Sequence, residues 1–261
     1  MNKEYFYFGG NIDIIPTKEN MYDKTTHIFD RISGLVGQIE TSLKPPECYK
    51  KIAGNFDGQG ISYGFIQFAL GQNKLQPILT EMITNHYSVF YNIFGILSES
   101  MKLMLSQKLE NQIEWAKSIQ TNNVIKSEWK LKFSALGATK EMQNIQIKHA
   151  KERFFKPAQS WMNIYGLQSE RGLALLCDIS TQNGLIKEYT KELILSQIKP
   201  EMNEQNRLEI IANRRAEASS TRWIEDVRTR KLTIAKGFGI IHGIKYDLEK
   251  DFCISLDKVI I

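Results

Sequence analysis

The chain has 261 residues, 42% hydrophobic and 24% charged, which is enough for one large domain or two small ones with a core that needs no staples. Its three cysteines, Cys48, Cys177 and Cys253, are odd in number and far apart, and its four histidines, His27, His86, His149 and His242, share no metal-ligand spacing. The first fact argues against a disulfide framework and the two together against a zinc site or a Cys/His nucleophile, and no cofactor is expected. The net charge of +5 favours an anionic partner, and no apolar run approaches the roughly 20 residues of a membrane span.

Met1 to Asp13 is aromatic and polar and lacks the apolar core of a Sec-type signal. From His27 to Glu40, the residues Ile28, Ile32, Leu35, Val36 and Ile39 recur at spacings of three and four, the stripe of an amphipathic helix. Pro45-Pro46 prevents that helix from continuing. Gly54 to Gly60 is too glycine-rich for helix and reads as a loop or small hairpin, with Asp57-Gly58 as its turn signal. Tyr63 to Leu70 is apolar and reads as a helix ending at Gly71. Asn73 is placed to cap the next helix, whose Leu75, Ile78, Leu79, Met82 and Ile83 face inward.

Residues 98–119 and 123–155 have the pattern of long amphipathic helices, the second broken near Gly137. Pro157 opens a short helix toward Tyr165, and 170–183 is an apolar helix closing on Asn183-Gly184. Residues 186–198 and 203–236 are again helical, the latter dividing near Ser219-Ser220-Thr221, and Ile240 to Ile261 reads as extended or irregular. Trp115, Trp129, Trp161 and Trp223 are read as core residues rather than sugar-stacking platforms. The whole is a mainly α protein (α+β) with a small β element, in one domain over 1–261.

Two stretches carry a resemblance. Glu40 ends a long helix, and after a spacer comes Asp57-Gly58-Gln59-Gly60-Ile61-Ser62-Tyr63-Gly64. This order resembles the catalytic region of the lysozyme-like superfamily, most closely the chitosanases of glycoside hydrolase family 46. Tyr63-Gly64-Phe65-Ile66-Gln67 is also similar to the Gly-x-x-Gln helix of goose-type lysozymes and lytic transglycosylases. Downstream, Leu175-Leu176-Cys177-Asp178 resembles the family's helix with an aspartate behind the active site. Asp226-Val227-Arg228-Thr229-Arg230-Lys231 resembles its Asp-x-Arg-Lys helix. Two departures stand out: Gln59 replaces a customary arginine, and Ser62 a customary threonine.

The resemblance implies a lysozyme-like fold, two helical lobes flanking a cleft beside a small β-hairpin. The catalytic motif would lie in 28–72 and the C-terminal helical lobe in about 157–236. It implies Glu40 as general acid, Asp57 as general base and Ser62 as holder of the attacking water, with Gln59, Tyr63 and Gln67 at the substrate. Arg230 would pair with the catalytic glutamate, with Arg228 as the alternative, and Asp178 would support them. Glu47, in a loop after the prolines, is a rival acid.

The chemistry has its own logic. An inverting glycosidase needs one protonated carboxyl and one ionised carboxylate that activates water from the opposite face. Glu40, at the end of an apolar stripe, is expected to be partly buried, which disfavours its charged form. Asp57, in a glycine-rich turn, is expected to sit among backbone N–H groups that favour ionisation.

A polycationic chitosan would be repelled by a net positive protein, so bacterial peptidoglycan leads as substrate, with chitosan hydrolysis or lytic transglycosylation as alternatives. Without a Sec signal in the chain, action on the wall would follow non-classical export, phage release or membership of a longer protein. An effector would also bring an immunity or secretion partner. The reading from another class is a non-catalytic wall- or nucleic-acid-binding helical module, supported by the arginine-rich segment 214–231.

Overall fold

The computed structural model describes residues 22–184 and 186–259; the reading of Met1 to Asp13, and the last two residues of the tail, lie outside them. The first helix, α1 (Ile28–Thr41), is capped by His27, whose Nδ1 accepts the Phe29 N–H, and buries nearly its whole length. It stops where Ser42 turns left-handed (φ 60°) and donates its N–H to the Gln38 carbonyl. A single 3-10 turn, Glu47–Lys50, leads into a three-stranded antiparallel sheet of β1 (Ile52–Ala53), β2 (Ser62–Tyr63) and β3 (Phe68–Ala69).

This sheet corrects the expectation of a helix over Tyr63 to Leu70. Gly64 (φ +83°) and Gln67 (φ 51°) both occupy the left-handed region, which a helix does not admit. Gln67 N–H closes the turn on the Gly64 carbonyl at 3.0 Å, and Tyr63 pairs with Phe68 across it. Gly64 is needed twice over, because a Cβ there would meet the Gln146 amide at 2.3 Å. Gly71 therefore ends no helix. Asn73 is no cap either: it is left-handed (φ 54°), and the residue preceding α2 (Leu75–Asn85) is Lys74, without a side-chain cap. The inward face of α2 is as read, with Leu75, Ile78, Leu79 and Met82 buried and Ile83 packed against the core.

Next come α3 (Tyr87–Phe94), α4 (Leu97–Ser106) and α5 (Leu109–Ser118), a small hairpin of β4 (Gln120–Thr121) and β5 (Val124–Ile125), then α6 (Ser127–Ala138) and α7 (Lys140–Ala150). The segment expected as one helix over 98–119 is thus two. The break near Gly137 falls at Thr139, whose hydroxyl caps α7 by accepting the Met142 N–H. A π-helical turn, Lys151–Phe155, runs into α8 (Lys156–Tyr165).

The rest of the described chain is α9 (Glu170–Asn183), α10 (Glu188–Gln197), α11 (Glu204–Glu217), α12 (Ile224–Lys236), the hairpin β6 (Phe238–Ile241) and β7 (Ile244–Asp247), and α13 (Leu248–Phe252). Helix α9 is the axis of the core: Gly172 through Ser180 are all buried, Cys177 among them, and α1, α8, α11 and α12 pack around it. One contiguous apolar cluster extends from Tyr22 to Ile254. The architecture is mainly helical with small antiparallel sheets.

Candidate active site

Glu40 lies in the last turn of α1, and its side chain keeps 20% exposure. Its Oε1 accepts a hydrogen bond from Arg230 Nη2 at 2.5 Å. Among the described residues its Oε2 accepts none. A carboxylate near the carbonyl end of a helix is unwelcome, and the Arg230 guanidinium offsets that field. So Glu40 is partly buried, as its place at the end of the stripe suggested, and is not an ordinary solvated helix end.

Behind Glu40 the charges continue inward. Arg230 Nε donates to both Asp178 oxygens at 3.1 Å, and Nη2 reaches Asp178 Oδ1 at 2.6 Å. Lys231 Nζ donates to Asp178 Oδ2 and to Gln182 Oε1, the latter at 2.7 Å. Asp178 and Gln182 are four residues apart and share one face of α9. Adjacent residues of α12 complete the set, and the side chains of Asp178 and Lys231 are wholly buried. Asp178 is thus paired with both cations, and Glu40 takes the remaining donor face of Arg230, so each buried charge has a partner. Burial pushes Asp178 up, but Arg230 and Lys231 override it and hold the carboxyl below its usual range. Burial pulls the Lys231 ammonium down to about 8, against the attraction of Asp178. Burial also works against the Arg230 charge, yet Asp178 and Glu40 leave it firmly protonated.

Lys231 and Gln182 were not singled out by sequence reasoning. The signal for Lys231 was present, since it directly follows Arg230 in the Asp-x-Arg-Lys pattern; Gln182 had none beyond its spacing of four from Asp178. Arg228, the alternative partner of Glu40, is excluded by direction. It donates to Asn213 Oδ1 at 2.6 Å and to Glu225 Oε1 at 3.2 Å, facing α11 rather than Asp178. Glu47 forms an exposed pair with Lys50 at 2.5 Å.

Asp57 stands exposed in the loop between β1 and β2, where its Oδ1 accepts the Gln59 N–H at 3.1 Å. Asn55 Oδ1 accepts the Gly60 N–H at 2.7 Å. The loop is anchored from outside by Gln120, which accepts from Asn55 N–H at 2.7 Å and donates to the Gly60 carbonyl at 3.0 Å. Asn55 and Gln120 thus hold the candidate base in place, and nothing in the sequence marked Gln120. Gln59 is half-buried against Gly71, with its carbonyl accepting the Gly71 N–H at 2.9 Å. Ser62 is half-buried on β2, between Ala53 and Ala69.

Two expected substrate contacts have other work. Tyr63 is fully buried, with its hydroxyl donating to the Phe133 carbonyl at 2.8 Å, so it has no surface to offer a sugar. Gln67 Nε2 donates to the Gly64 carbonyl at 2.8 Å and to the Lys51 carbonyl at 3.3 Å, which locks the turn. Trp115, Trp129 and Trp161 pack in or against the core as read, but Trp223 is 48% exposed. Among the described residues no cluster of histidine, cysteine, aspartate and glutamate is arranged to hold a metal, and no helix is long and apolar enough to cross a membrane.

No family model and no curated protein matches the sequence. Solved structures do match. A chitosanase in a complex has a TM-score of 0.54 at 16% identity, covering 84% of this chain and 95% of its own. A chitosanase co-crystallised with substrate has a TM-score of 0.54 at 15% identity, covering 84% and 94%. The family 46 chitosanase of Gynuella sunshinyii, in complex with chitotetraose, has a TM-score of 0.53 at 12% identity, covering 82% and 88%. The likeness is one of fold: this chain has the lysozyme-like architecture of the family 46 chitosanases.

Proposed function

We propose that this chain, built on the chitosanase fold, is a glycoside hydrolase that cleaves β-1,4 bonds of an amino-sugar polysaccharide, with Glu40 as general acid and Asp57 as general base. The observation that carries the reading is the asymmetry of Glu40. Arg230 grips Oε1 at 2.5 Å and is itself immobilised by Asp178, while Oε2 stays unengaged by the described residues. A carboxyl held by one oxygen is oriented, and the proton it gives the leaving group sits on the other.

Asp57 supplies the complementary half. It is exposed, and its Oδ1 accepts the Gln59 N–H in the manner of an Asx turn, which fixes the carboxylate in the loop. In an inverting enzyme such a carboxylate activates water across a gap of about 6.5–9.5 Å from the acid. Ser62, on the strand that follows, is the hydroxyl proposed to steady that water.

Among amino-sugar polymers, the net charge of +5 supports an anionic one, bacterial peptidoglycan. The fold likeness to chitosanases supports chitosan as the second reading. The test is digestion of both polymers side by side, with products identified by mass and anomeric configuration. Inverted reducing ends that vanish in Glu40→Gln and in Asp57→Asn support the proposal. Anhydro-sugar products with Asp57→Asn tolerated would replace it with a lytic transglycosylase. Nucleic-acid binding without glycan turnover would replace it with a binding module.

A further inference from the structure

Two adjoining pockets lie on the Gln182 side of the Glu40 cluster. One, of about 400 Å³, is lined by Lys74, Arg153, Gln182 and Asn183; the other, of about 570 Å³, shares Gln182 and Asn183 and adds Lys187 and Arg215. Sharing Gln182 and Asn183, they form one trough at the C-terminal end of α9. Gln182 links it to the buried network through its bond to Lys231.

The chemistry of this trough is lopsided. Four cations face it against one lining carboxylate, Asp226, which is already paired with His242 at 2.8 Å. Among the described residues none of Lys74, Arg153, Lys187 and Arg215 makes a salt bridge. Lys74 and Arg153 are close enough to repel each other, and burial together with Arg153 pulls the Lys74 ammonium below its usual value. Two buried polar atoms here, Asn183 Oδ1 and Arg215 Nε, have no hydrogen-bond partner among the described residues. Arg153 comes from the π-helical turn, a local irregularity that re-aims side chains. Uncompensated like charges around a cavity cost stability unless an anion relieves them.

We infer that this trough is a subsite for carboxylate groups carried by the glycan, so that the chain selects an acidic amino-sugar polymer over a neutral or cationic one. Lys74 and Arg153 take the substituent nearest the scissile bond, and Lys187 and Arg215 the next. The inference rests on the hydrolase reading above only for placing the glycan across Glu40.

The test uses the full chain carrying Glu40→Gln, so that ligands stay intact. Its affinity is measured for two β-1,4-linked N-acetylglucosamine hexamers, one plain and one bearing lactyl ether carboxylates on alternate sugars. The carboxylated hexamer should bind on the order of tenfold tighter at low salt, with the preference shrinking as salt rises. Adding Lys74→Gln and Arg153→Gln should remove the preference, and Arg153→Lys with Lys74 intact should keep most of it. Equal affinity for the two hexamers, tighter binding of a chitosan hexamer, or a preference untouched by the double substitution would overturn the subsite. Turnover by the unsubstituted chain is read separately. A carboxylated hexamer bound with the stated preference but never cut sinks the hydrolase reading and leaves the subsite standing. One cut readily but bound without preference sinks the subsite alone.

Discussion

Helices α1 and α9 are bridged by buried charges at both ends, and the two bridges differ in one respect. At the first, Arg31 Nη2 donates to Glu170 Oε1 at 2.7 Å and Arg31 also bonds the carbonyls of Thr26 and Cys253. Glu170 Oε2 takes Lys24 at 2.9 Å and the Ser255 N–H at 3.2 Å. Every oxygen of that carboxylate is used, and its side chain is 7% exposed. At the second, Arg230 and Lys231 saturate Asp178, but the chain of bonds ends on Glu40, which keeps 20% exposure and an oxygen unengaged by the described residues. The clusters lie about 13 Å apart along α1 at a rise of about 1.5 Å per residue. Similar residues thus join α1 to α9 by a closed clamp at one end and, through cations supplied by α12, by an open one at the other. A saturated carboxylate can only hold the fold; one left with a free oxygen beside a basic trough can also meet a ligand.

The sharpest way to break this contrast is to neutralise each glutamate. Glu40→Gln should lower glycan turnover by about 10²–10⁴-fold, the range for a lost general acid, with a melting temperature close to that of the parent. Glu170→Gln should do the opposite: turnover per folded molecule stays near the parent, while stability falls by about 3–5 kcal/mol from an uncompensated buried Arg31. If both variants lost activity alike, or both lost stability alike, the division of labour would be wrong.

Asp178→Asn tests the join between the two roles. It strands Arg230 and Lys231 in the core, so stability should drop by about 3–5 kcal/mol. Turnover should drop as well, because Arg230 loses the partner that aims it at Glu40. Full activity and full stability in the Asp178→Asn variant would show that Glu40 needs no such support.

A weaker handle is pH. The folded values of Asp178 and Glu170 are both depressed below their ordinary 3.8 and 4.5. Their contribution to stability is therefore complete above those values and is lost as pH falls through the folded ones, so the melting temperature should decline in acid. Lys231 runs the other way on the alkaline side. Its folded value of about 8 lies below the ordinary 10.5, so the unfolded chain binds more protons in that window and this group's cost is relieved as pH rises. Thermal melts of Lys231→Met should lack that alkaline gain. The smallest effect is expected at Arg228→Ala: its exposed pair with Glu225 is worth about 1 kcal/mol or less, and turnover should not move.

Local pattern was enough for much of this molecule. The apolar stripe of α1, its halt before Pro45-Pro46, the helices 170–183 and 203–236 with a break near Ser219, and the mainly α fold were all legible, because each depends on spacing within a few turns. The order Glu40, Asp57, Ser62, with Asp178 and Arg230 far downstream, was legible as a resemblance, and Arg230 does meet Glu40. Tyr63 to Leu70 misled because continuous apolarity is shared by buried helices and buried strands. The left-handed turn at Gly64 and Gln67 decides between them, and it closes on Gln146 from a distant helix.

What only the tertiary structure decided is direction. Arg228 and Arg230 are two residues apart on one helix and therefore point to different neighbours, one to α11 and one to α9. Tyr63 and Ser62 are adjacent on a strand, so one enters the core and the other does not. By itself the chain determined its helices and which residue types could do acid–base chemistry. Which carboxylate is left open, and which cations gather beside it, depends on packing between elements more than a hundred residues apart.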